Sequence, residues 1–234
     1  MATDSRTGTG PRDRFRAQVR QEVKAAALQQ LATGGPEALS LNAIAKQLGM
    51  TGPALYRYFA NRDSLLTDLV IDAYGDLAGA LAHAADAATG DATARLTAVA
   101  GAYRDWALTE PYRYRLLFRA PLPGYDAQST RLVEASQPAM NVVLNAATAL
   151  TRPNTPVPDG SDRSDGSASQ FEAWMELRGV ESVPAAVASR TTLLWAHLHG
   201  LVSLEIEGNF TSMGIDPAPL YTADLRDFVR ALTD

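Results

Sequence analysis

Residues 39–66 read LSLNAIAKQLGMTGPALYRYFANRDSLL, and this stretch predicts two short helices separated by a tight turn. The hydroxyls of Ser40 and Thr51 can cap the two helices, and Gly49 supplies the break between them. A helix pair of this kind can present its second helix to the major groove of duplex DNA. The inward apolar positions that would fix the crossing angle are Leu41, Ile44, Ala45, Leu48, Leu55 and Phe59.

The flanking sequence also follows a helical pattern. Apolar residues at three- and four-residue steps predict a first helix from about Arg12 to Ala32, with Phe15 on its inner face. Asn61 can cap a long helix that follows the quoted stretch. Strand-like alternation between tight turns is missing from the sequence, so we expect an all-α fold. Further helices are expected over about residues 92–108, 111–118, 129–150, 185–207 and 221–232, with a loop from Met213 to Pro219.

Two segments resemble parts of the TetR family of transcriptional regulators. Residues 39–66 are similar to the family's N-terminal signature, with the helices, the turn and the aromatic pair in register. Residues 192–210, TLLWAHLHGLVSLEIEGNF, resemble a WHG-type C-terminal domain through Trp195, His199 and Gly200. The resemblance implies an all-α homodimer whose N-terminal domain binds DNA and whose divergent C-terminal domain binds a ligand.

On this basis we expect three regions along the chain. Residues 1–11 form a flexible basic and polar tail, residues 12–72 a helix-turn-helix DNA-binding domain, and residues 73–234 a helical effector-binding and dimerisation domain. Within the last region, residues 151–168 are dense in Pro, Asp, Gly and Ser. Because such a segment cannot offset its ordering entropy by burial, we expect a flexible loop there.

Charge is distributed unevenly along the chain. Residues 1–63 carry nine basic and five acidic side chains, whereas the rest of the chain carries twelve basic and 21 acidic ones. A basic end on an acidic body would steer a polyanion to that end of the molecule. The pattern is compatible with DNA binding by the N-terminal region, although a solvated surface of mixed charge can produce a similar imbalance.

The resemblance places residues 51–54 at the start of the recognition helix and Tyr56 and Arg57 on its outward face. Arg57 is long enough to reach a guanine edge, and the tyrosine hydroxyls at positions 56 and 58 can donate to phosphates. The N–H groups of residues 40 and 41, which begin a helix, and the cation of Arg62 are candidate phosphate ligands. The predicted DNA-binding residues are Arg12, Arg14 and Arg16, as a basic arm, together with Ser40, Leu41, Thr51, Gly52, Pro53, Ala54, Tyr56, Arg57, Tyr58 and Arg62.

The helix expected at residues 185–207 is apolar around most of its circumference. A helix of this kind must be buried on more than one side, and a second subunit can cover part of it. Gly200 would allow another helix to approach closely. We therefore expect a homodimer with an isologous four-helix interface made by residues 185–207 and 221–232.

Aromatic and thioether side chains in the C-terminal region could line an apolar effector pocket, although each could equally be part of the core. His199 is the first residue to examine, because a histidine within an apolar helix needs a polar partner. The predicted ligand-binding residues are Tyr103, Trp106, Tyr114, Phe118, Met140, Trp174, Met175 and His199.

Several classes of site and location are not expected. The chain has no cysteine, and His197 and His199, two residues apart on a helix, diverge and cannot chelate one metal ion, so we expect neither a metal nor a cofactor. The N-terminal residues lack the apolar core of a signal peptide, and the later apolar runs are too short to span a bilayer. We therefore expect no membrane association and a cytoplasmic location.

The function expected from these features is a ligand-responsive repressor that binds a palindromic DNA operator and is released by a small-molecule effector. Two alternatives remain open at the level of sequence. One is a small all-α enzyme that uses His199 with Glu205 or Asp105 for acid–base chemistry, although nucleophile and phosphate-loop motifs are missing. The other is a protein-interaction module without a DNA role.

Overall fold

The computed structural model describes residues 10–119, 125–151, 164–180 and 183–233. Every regular element in these ranges is helical, which confirms the all-α expectation. A 3-10 turn, Pro36–Ala38, separates the first two helices. The helices are α1 (Pro11–Gly34), α2 (Leu41–Gln47), α3 (Gly52–Tyr56), α4 (Arg62–Ala87), α5 (Ala92–Thr109), α6 (Pro111–Phe118), α7 (Thr130–Thr148), α8 (Ser164–Glu176), α9 (Ala185–Ile206), α10 (Asn209–Met213) and α11 (Pro217–Thr233).

The chain divides into two compact units. The N-terminal unit contains Met1–Val70 and Arg115–Ala127, and the C-terminal unit contains Ile71–Tyr114 and Gln128–Asp234. Helices α4 and α6 each contribute residues to both units. Nothing in the local sequence pattern indicated that residues 115–127 belong with the N-terminal unit.

The N-terminal unit is built on the inward face of α1. Helix α1 packs against α2, and α2 packs against α3. Phe15 is 64% exposed, so its predicted place on the inner face of α1 is wrong. The inner face begins one turn later, at Val19, because residues 11–18 have no neighbouring element to cover them. The core side chains of this unit include Val23, Ala27, Leu31, Ile44, Leu55, Phe59, Leu65 and Leu66, all of which are buried.

Helix α9 is the centre of the C-terminal unit. It packs against α5, α7, α8, α10 and α11, which explains its apolar sequence. Thr191 is fully buried on α9, and its hydroxyl donates to the carbonyl of Val187 at 2.7 Å. That hydrogen bond removes the penalty of a buried unpaired hydroxyl. None of the described helices is long and apolar enough to cross a membrane.

Two segments predicted as loops contain helix. Helix α8 begins at Ser164, within the expected loop at 151–168, while residues 152–163 lie outside the described part of the chain. Because the first residues of α8 are polar, the sequence pattern did not indicate a helix there, although its later turns carry apolar residues. The predicted loop from Met213 to Pro219 is shorter, because α10 ends at Met213 and α11 begins at Pro217. Glycines with φ of 76° and 67°, at positions 208 and 214, flank α10 and allow these abrupt breaks.

Candidate DNA-binding surface and effector region

The two short helices begin at the capping residues that the sequence predicted. The Ser40 hydroxyl accepts from the N–H of Ala43 at 3.3 Å, and the Thr51 hydroxyl accepts from the N–H of Ala54 at 3.4 Å. Each cap satisfies one of the N–H groups that a helix start leaves unpaired. The start of α4 is capped reciprocally, since Asn61 Oδ1 accepts from the N–H of Ser64 at 2.8 Å and Ser64 Oγ accepts from the N–H of Asn61 at 3.2 Å.

The turn between α2 and α3 depends on Gly49. Its φ of 66° lies in the left-handed region that favours glycine. The turn is closed by a hydrogen bond from the N–H of Met50 to the carbonyl of Ala45 at 2.8 Å, which ends α2 in a Schellman-type arrangement. This geometry sets the angle at which α3 leaves α2.

Arg20 of α1 holds the end of α3 in place, a role that the sequence did not indicate. Its guanidinium donates to the carbonyl of Tyr58 at 2.7 Å, forms an ion pair with Asp68 of α4, and lies 4.5 Å from the centroid of the Phe59 ring. The Lys24 ammonium lies 3.8 Å from the same Asp68 carboxylate. Because Arg20 and Asp68 are 48 positions apart, no local motif could reveal the contact.

The outward face of α3 is presented to solvent. Tyr56 is 46% exposed and Arg57 is exposed, whereas Leu55, also on α3, is fully buried. Thr51 and Pro53 are exposed, and Gly52, Ala54 and Tyr58 are partly exposed. The structure therefore places the predicted base-reading and phosphate-binding side chains of residues 51–58 on an accessible surface.

Two predicted phosphate ligands, Ser40 and Arg62, make other contacts in the structure. The N–H of Ser40 already donates to Oε1 of Gln30 at 2.9 Å, and the side chain of Leu41 is buried. Arg62 donates to the carbonyl of Pro36, which ties the start of α4 to the 3-10 turn. The backbone carbonyl occupies one amino group of Arg62, and a phosphate contact by this residue stays a prediction.

Arg12, Arg14 and Arg16 are exposed on the first turns of α1. They therefore lie on a helix and do not form an extended arm. The residues before Gly10, which contain most of the expected tail, lie outside the described ranges.

A buried polar cluster forms in the C-terminal unit. The hydroxyls of Tyr103 on α5 and Tyr114 on α6 lie 3.2 and 3.0 Å from Nδ1 of His199 on α9. The Tyr114 hydroxyl also donates to the backbone carbonyl of His199 at 3.2 Å. The ring of Trp195, which was not among the predicted ligand-binding residues, lies 4.7 Å from the Tyr103 ring. His199 thus has the polar partners that its position in an apolar helix requires.

Burial favours the neutral forms of Tyr103 and His199. It raises the pKa of Tyr103 above the ordinary tyrosine value and lowers the pKa of His199 below the ordinary 6.5. The space bordered by Tyr103, Trp195 and Leu198 is about 10 Å³, and one water needs roughly 10–15 Å³. An apolar ligand with a neutral hydrogen-bonding group could use these partners only if the surrounding side chains moved.

The lowered pKa of His199 predicts a pH-dependent stability. In the unfolded chain His199 binds a proton at a higher pH than it does in the folded protein. The stability that neutral His199 contributes to the folded state is therefore complete above about pH 6.5 and declines as the pH falls below that value. We expect His199→Gln to make the denaturation midpoint less dependent on pH between about 7.5 and 5.5. His83→Gln, at an exposed histidine, is the control. An equal effect of both substitutions would contradict the assignment.

The remaining predicted ligand-binding residues do not join this cluster. Trp106 lines a separate groove between α4 and α5, and Phe118 belongs to the N-terminal unit. The Arg178 guanidinium lies over the indole of Trp174 on α8, 4.7 Å from the centroid of that ring. Met175 is buried and Met140 is partly buried. Three of the eight predicted residues therefore meet in the cluster at His199, and Trp106 borders a separate groove. A role of the eight residues in ligand binding stays a prediction.

The acid–base candidates of the enzyme alternative are engaged in structural contacts or lie apart. Glu205 accepts two hydrogen bonds from Arg104, at 2.8 and 2.5 Å, and this contact raises the pKa of the guanidinium. Asp105 lies on the exposed side of α5, in the Trp106 groove. His197 Nδ1 lies 3.1 Å from Asp224 of α11, so it diverges from His199 as predicted.

Two family models match this chain. Residues 24–69 match the bacterial regulatory proteins of the tetR family, and residues 96–228 match the tetracyclin repressor-like C-terminal domain. The second region, more than half of the chain, includes the cluster around His199 as well as α9.

Proteins similar to this chain in sequence include transcriptional regulators. The HTH-type transcriptional regulators Rv1816 of Mycobacterium tuberculosis and Mb1846 of Mycobacterium bovis are each 34% identical, with 96% of this chain and 97% of theirs covered. The crystal structure of the regulatory protein SCO4313 is similar with a TM-score of 0.73 and 40% identity, covering 94% of this chain and 98% of that one.

These matches exclude the two alternatives left open by the sequence, the enzyme and the interaction module without a DNA role. They agree with the capped helix pair, the exposed face of α3 and the separate helical unit around α9. The chain belongs to the TetR family and is a transcriptional regulator with a DNA-binding helix-turn-helix domain, not an enzyme.

Proposed function

We propose that this protein is a ligand-responsive repressor that binds a palindromic operator as a homodimer and acts in the cytoplasm, where bacterial DNA is located. In this proposal α3 enters the major groove, and the exposed side chains of Tyr56 and Arg57 face the bases and phosphates. The single observation that supports it most is the contrast on α3 between the buried Leu55 and its exposed neighbours.

Basic side chains around α3 favour the same orientation. Arg57 is exposed, makes no ion pair within the described ranges and follows directly on α3. Lys46 on α2 and the arginines at the start of α1 are also exposed in the same unit. Contacts between such cations and phosphates would supply sequence-independent affinity, while Arg57 is the residue we assign to base recognition.

Dimerisation is proposed through α9 and α11. Leu193 and Leu204 remain 51% and 43% exposed on α9, and Leu220 remains 44% exposed on α11. Leu193, Ala196, Gly200 and Leu204 recur at helical spacing and are all at least partly exposed, so they form one strip that a second copy of α9 could cover. The groove beside this strip is bordered by Phe228 and Ala231 of α11. A symmetric partner would bury the strip in a four-helix interface.

Release by an effector is the regulatory part of the proposal. Helix α4 is continuous from the N-terminal unit into the C-terminal unit, so it is the element through which a ligand could affect DNA binding. A ligand that favours a DNA-incompetent arrangement would shift the population and release the operator.

The proposal predicts steep salt dependence. An operator selected by the purified protein from random duplexes should be palindromic, and its affinity should fall by orders of magnitude between about 50 and 200 mM salt. Gel retardation measures this fall. Selected sites without two-fold symmetry, or binding that salt leaves unchanged, would contradict operator recognition by a dimer.

We expect Arg57→Ala to weaken operator binding by about 1–3 kcal/mol, a loss of roughly fivefold to 150-fold, through removal of a base contact. Arg95→Ala removes the same charge from an exposed position on α5 and should leave affinity nearly unchanged. Fluorescence anisotropy of labelled operator compares the two variants. Equal losses would indicate that Arg57 contributes only general charge.

A further inference from the structure

A groove of the C-terminal unit lies between α4 and α5 and extends to α6. Its volume is about 600 Å³, which lies within the range of small-molecule sites, roughly 300–1,000 Å³. Small side chains leave this room, since Ala80 and Ala84 of α4 and Ala102 of α5 line it. Residues 80 and 84 are one helical turn apart and therefore lie on the same face of α4.

The groove has an excess of negative charge. Three carboxylates line it, those of Asp76, Asp105 and Glu110. The basic residues that line it are Arg113 and His83. Arg113 forms ion pairs with Asp76 and, at 3.5 Å, with Glu110. Asp105 is exposed and has no ion pair or hydrogen bond within the described ranges. Asp105 interacts electrostatically with the neighbouring Arg104, but it makes no direct ion pair with a cation in the groove, whereas Asp76 and Glu110 pair with Arg113.

Trp106 brings an aromatic surface to this charge. Each of the other two tryptophans has a ring or a cation against it: Trp195 lies against Tyr103 and Trp174 beneath Arg178, both with separations of 4.7 Å. Trp106 is partly exposed. Within the described ranges, neither an aromatic ring nor a cation lies against its indole. Its indole therefore lines the groove without the covering contact that the other two have.

We propose that this groove binds a small organic cation, such as a protonated arylalkylamine or a quaternary ammonium compound, with the positive group held between Asp105 and the face of Trp106. A cation within about 6 Å of an indole is attracted by the ring quadrupole, and the nearby carboxylate adds Coulombic attraction. The apolar part of the ligand lies over the alanines. Three carboxylates disfavour a fatty acid or a phosphate ester in the same groove.

This inference assigns a chemical class to the effector and rests on the proposed repressor function only for its regulatory meaning. Cation binding itself is measured on the full chain without DNA. Operator retardation is measured separately, so failure of DNA binding would refute the repressor without affecting the groove, and failure of cation binding would refute the groove without affecting the repressor.

Isothermal titration calorimetry with benzyltrimethylammonium chloride measures cation binding by the groove directly. We expect saturable binding at low salt and no comparable binding of neutral benzyl alcohol or anionic benzoate, which present a similar ring without the positive charge. Binding of benzoate as tight as that of the cation would overturn the proposal, as would a cation titration that does not saturate in the millimolar range.

Three substitutions locate the binding. Asp105→Asn keeps the side-chain shape and should raise the Kd of the cation about threefold to tenfold, while Ala84→Leu should fill the groove and abolish binding. Asp86→Asn removes the same charge from an exposed position on α4 outside the groove and should leave the Kd unchanged. Circular dichroism checks that each variant folds. A loss with Asp86→Asn equal to that with Asp105→Asn would refute the site, because it would indicate general charge attraction.

Discussion

Phe59→Ala should destabilise the N-terminal unit by about 3–5 kcal/mol, the typical result of removing a buried aromatic ring. Phe59 is 1% exposed, and its ring lies beneath the guanidinium of Arg20. The substitution therefore removes core packing and the surface on which Arg20 rests. Since Arg20 also binds the carbonyl of Tyr58, we expect α3 to lose its fixed position and operator binding to fall with stability.

The matched control for this prediction is Phe15→Ala. Phe15 lies in the same unit and is 64% exposed, so its removal should change stability by less than about 0.5 kcal/mol. Denaturant titrations followed by circular dichroism measure both changes. Similar losses for the two variants would mean that the exposed start of α1 is covered in solution and that the core described for this unit is incomplete.

The second large effect is expected at the proposed dimer interface. In Leu193→Glu, each subunit loses about 1 kcal/mol of the binding free energy gained by burying the leucine side chain. Dimerisation must in addition remove water from the new carboxylate, which costs further free energy. Because an isologous contact contains each substitution twice, we expect the dimer Kd to rise roughly a hundredfold or more.

Sedimentation velocity over a concentration series measures this dissociation. Leu177→Glu is the control, because Leu177 is 85% exposed, follows α8 and belongs to neither α9 nor α11. We expect the control to remain dimeric and the Leu193 variant to become monomeric at micromolar concentration. A wild-type protein that is already monomeric there would refute the interface.

The side chains predicted to bind an effector illustrate how little side-chain types along a chain reveal about their neighbours. The sequence analysis named Tyr103, Tyr114 and His199, which meet in one cluster, but it could not separate them from Trp106, which borders a different groove. The separation depends on which face of α5 each residue occupies and on which helices cover that face. Those neighbours come from distant parts of the chain.

Arg20 and Arg62 illustrate the same limit in the DNA-binding unit. Both are arginines near the helix pair, and sequence alone offered Arg62 as the phosphate ligand. In the structure Arg62 binds the carbonyl of Pro36, and Arg20 binds the end of α3 and Asp68. Long basic side chains can reach several partners, so their roles depend on the surrounding backbone.

The amino-acid sequence by itself determined the all-α fold, the caps at Ser40, Thr51 and Asn61, and the turn at Gly49, because these features depend on hydrogen bonds and backbone angles within a few residues. Only the tertiary structure decided that Arg20 secures α3, that Tyr103 meets His199 across 96 positions, and that Trp106 faces a carboxylate-lined groove. These contacts join helices far apart in the chain, and their geometry exists only after the cores have packed.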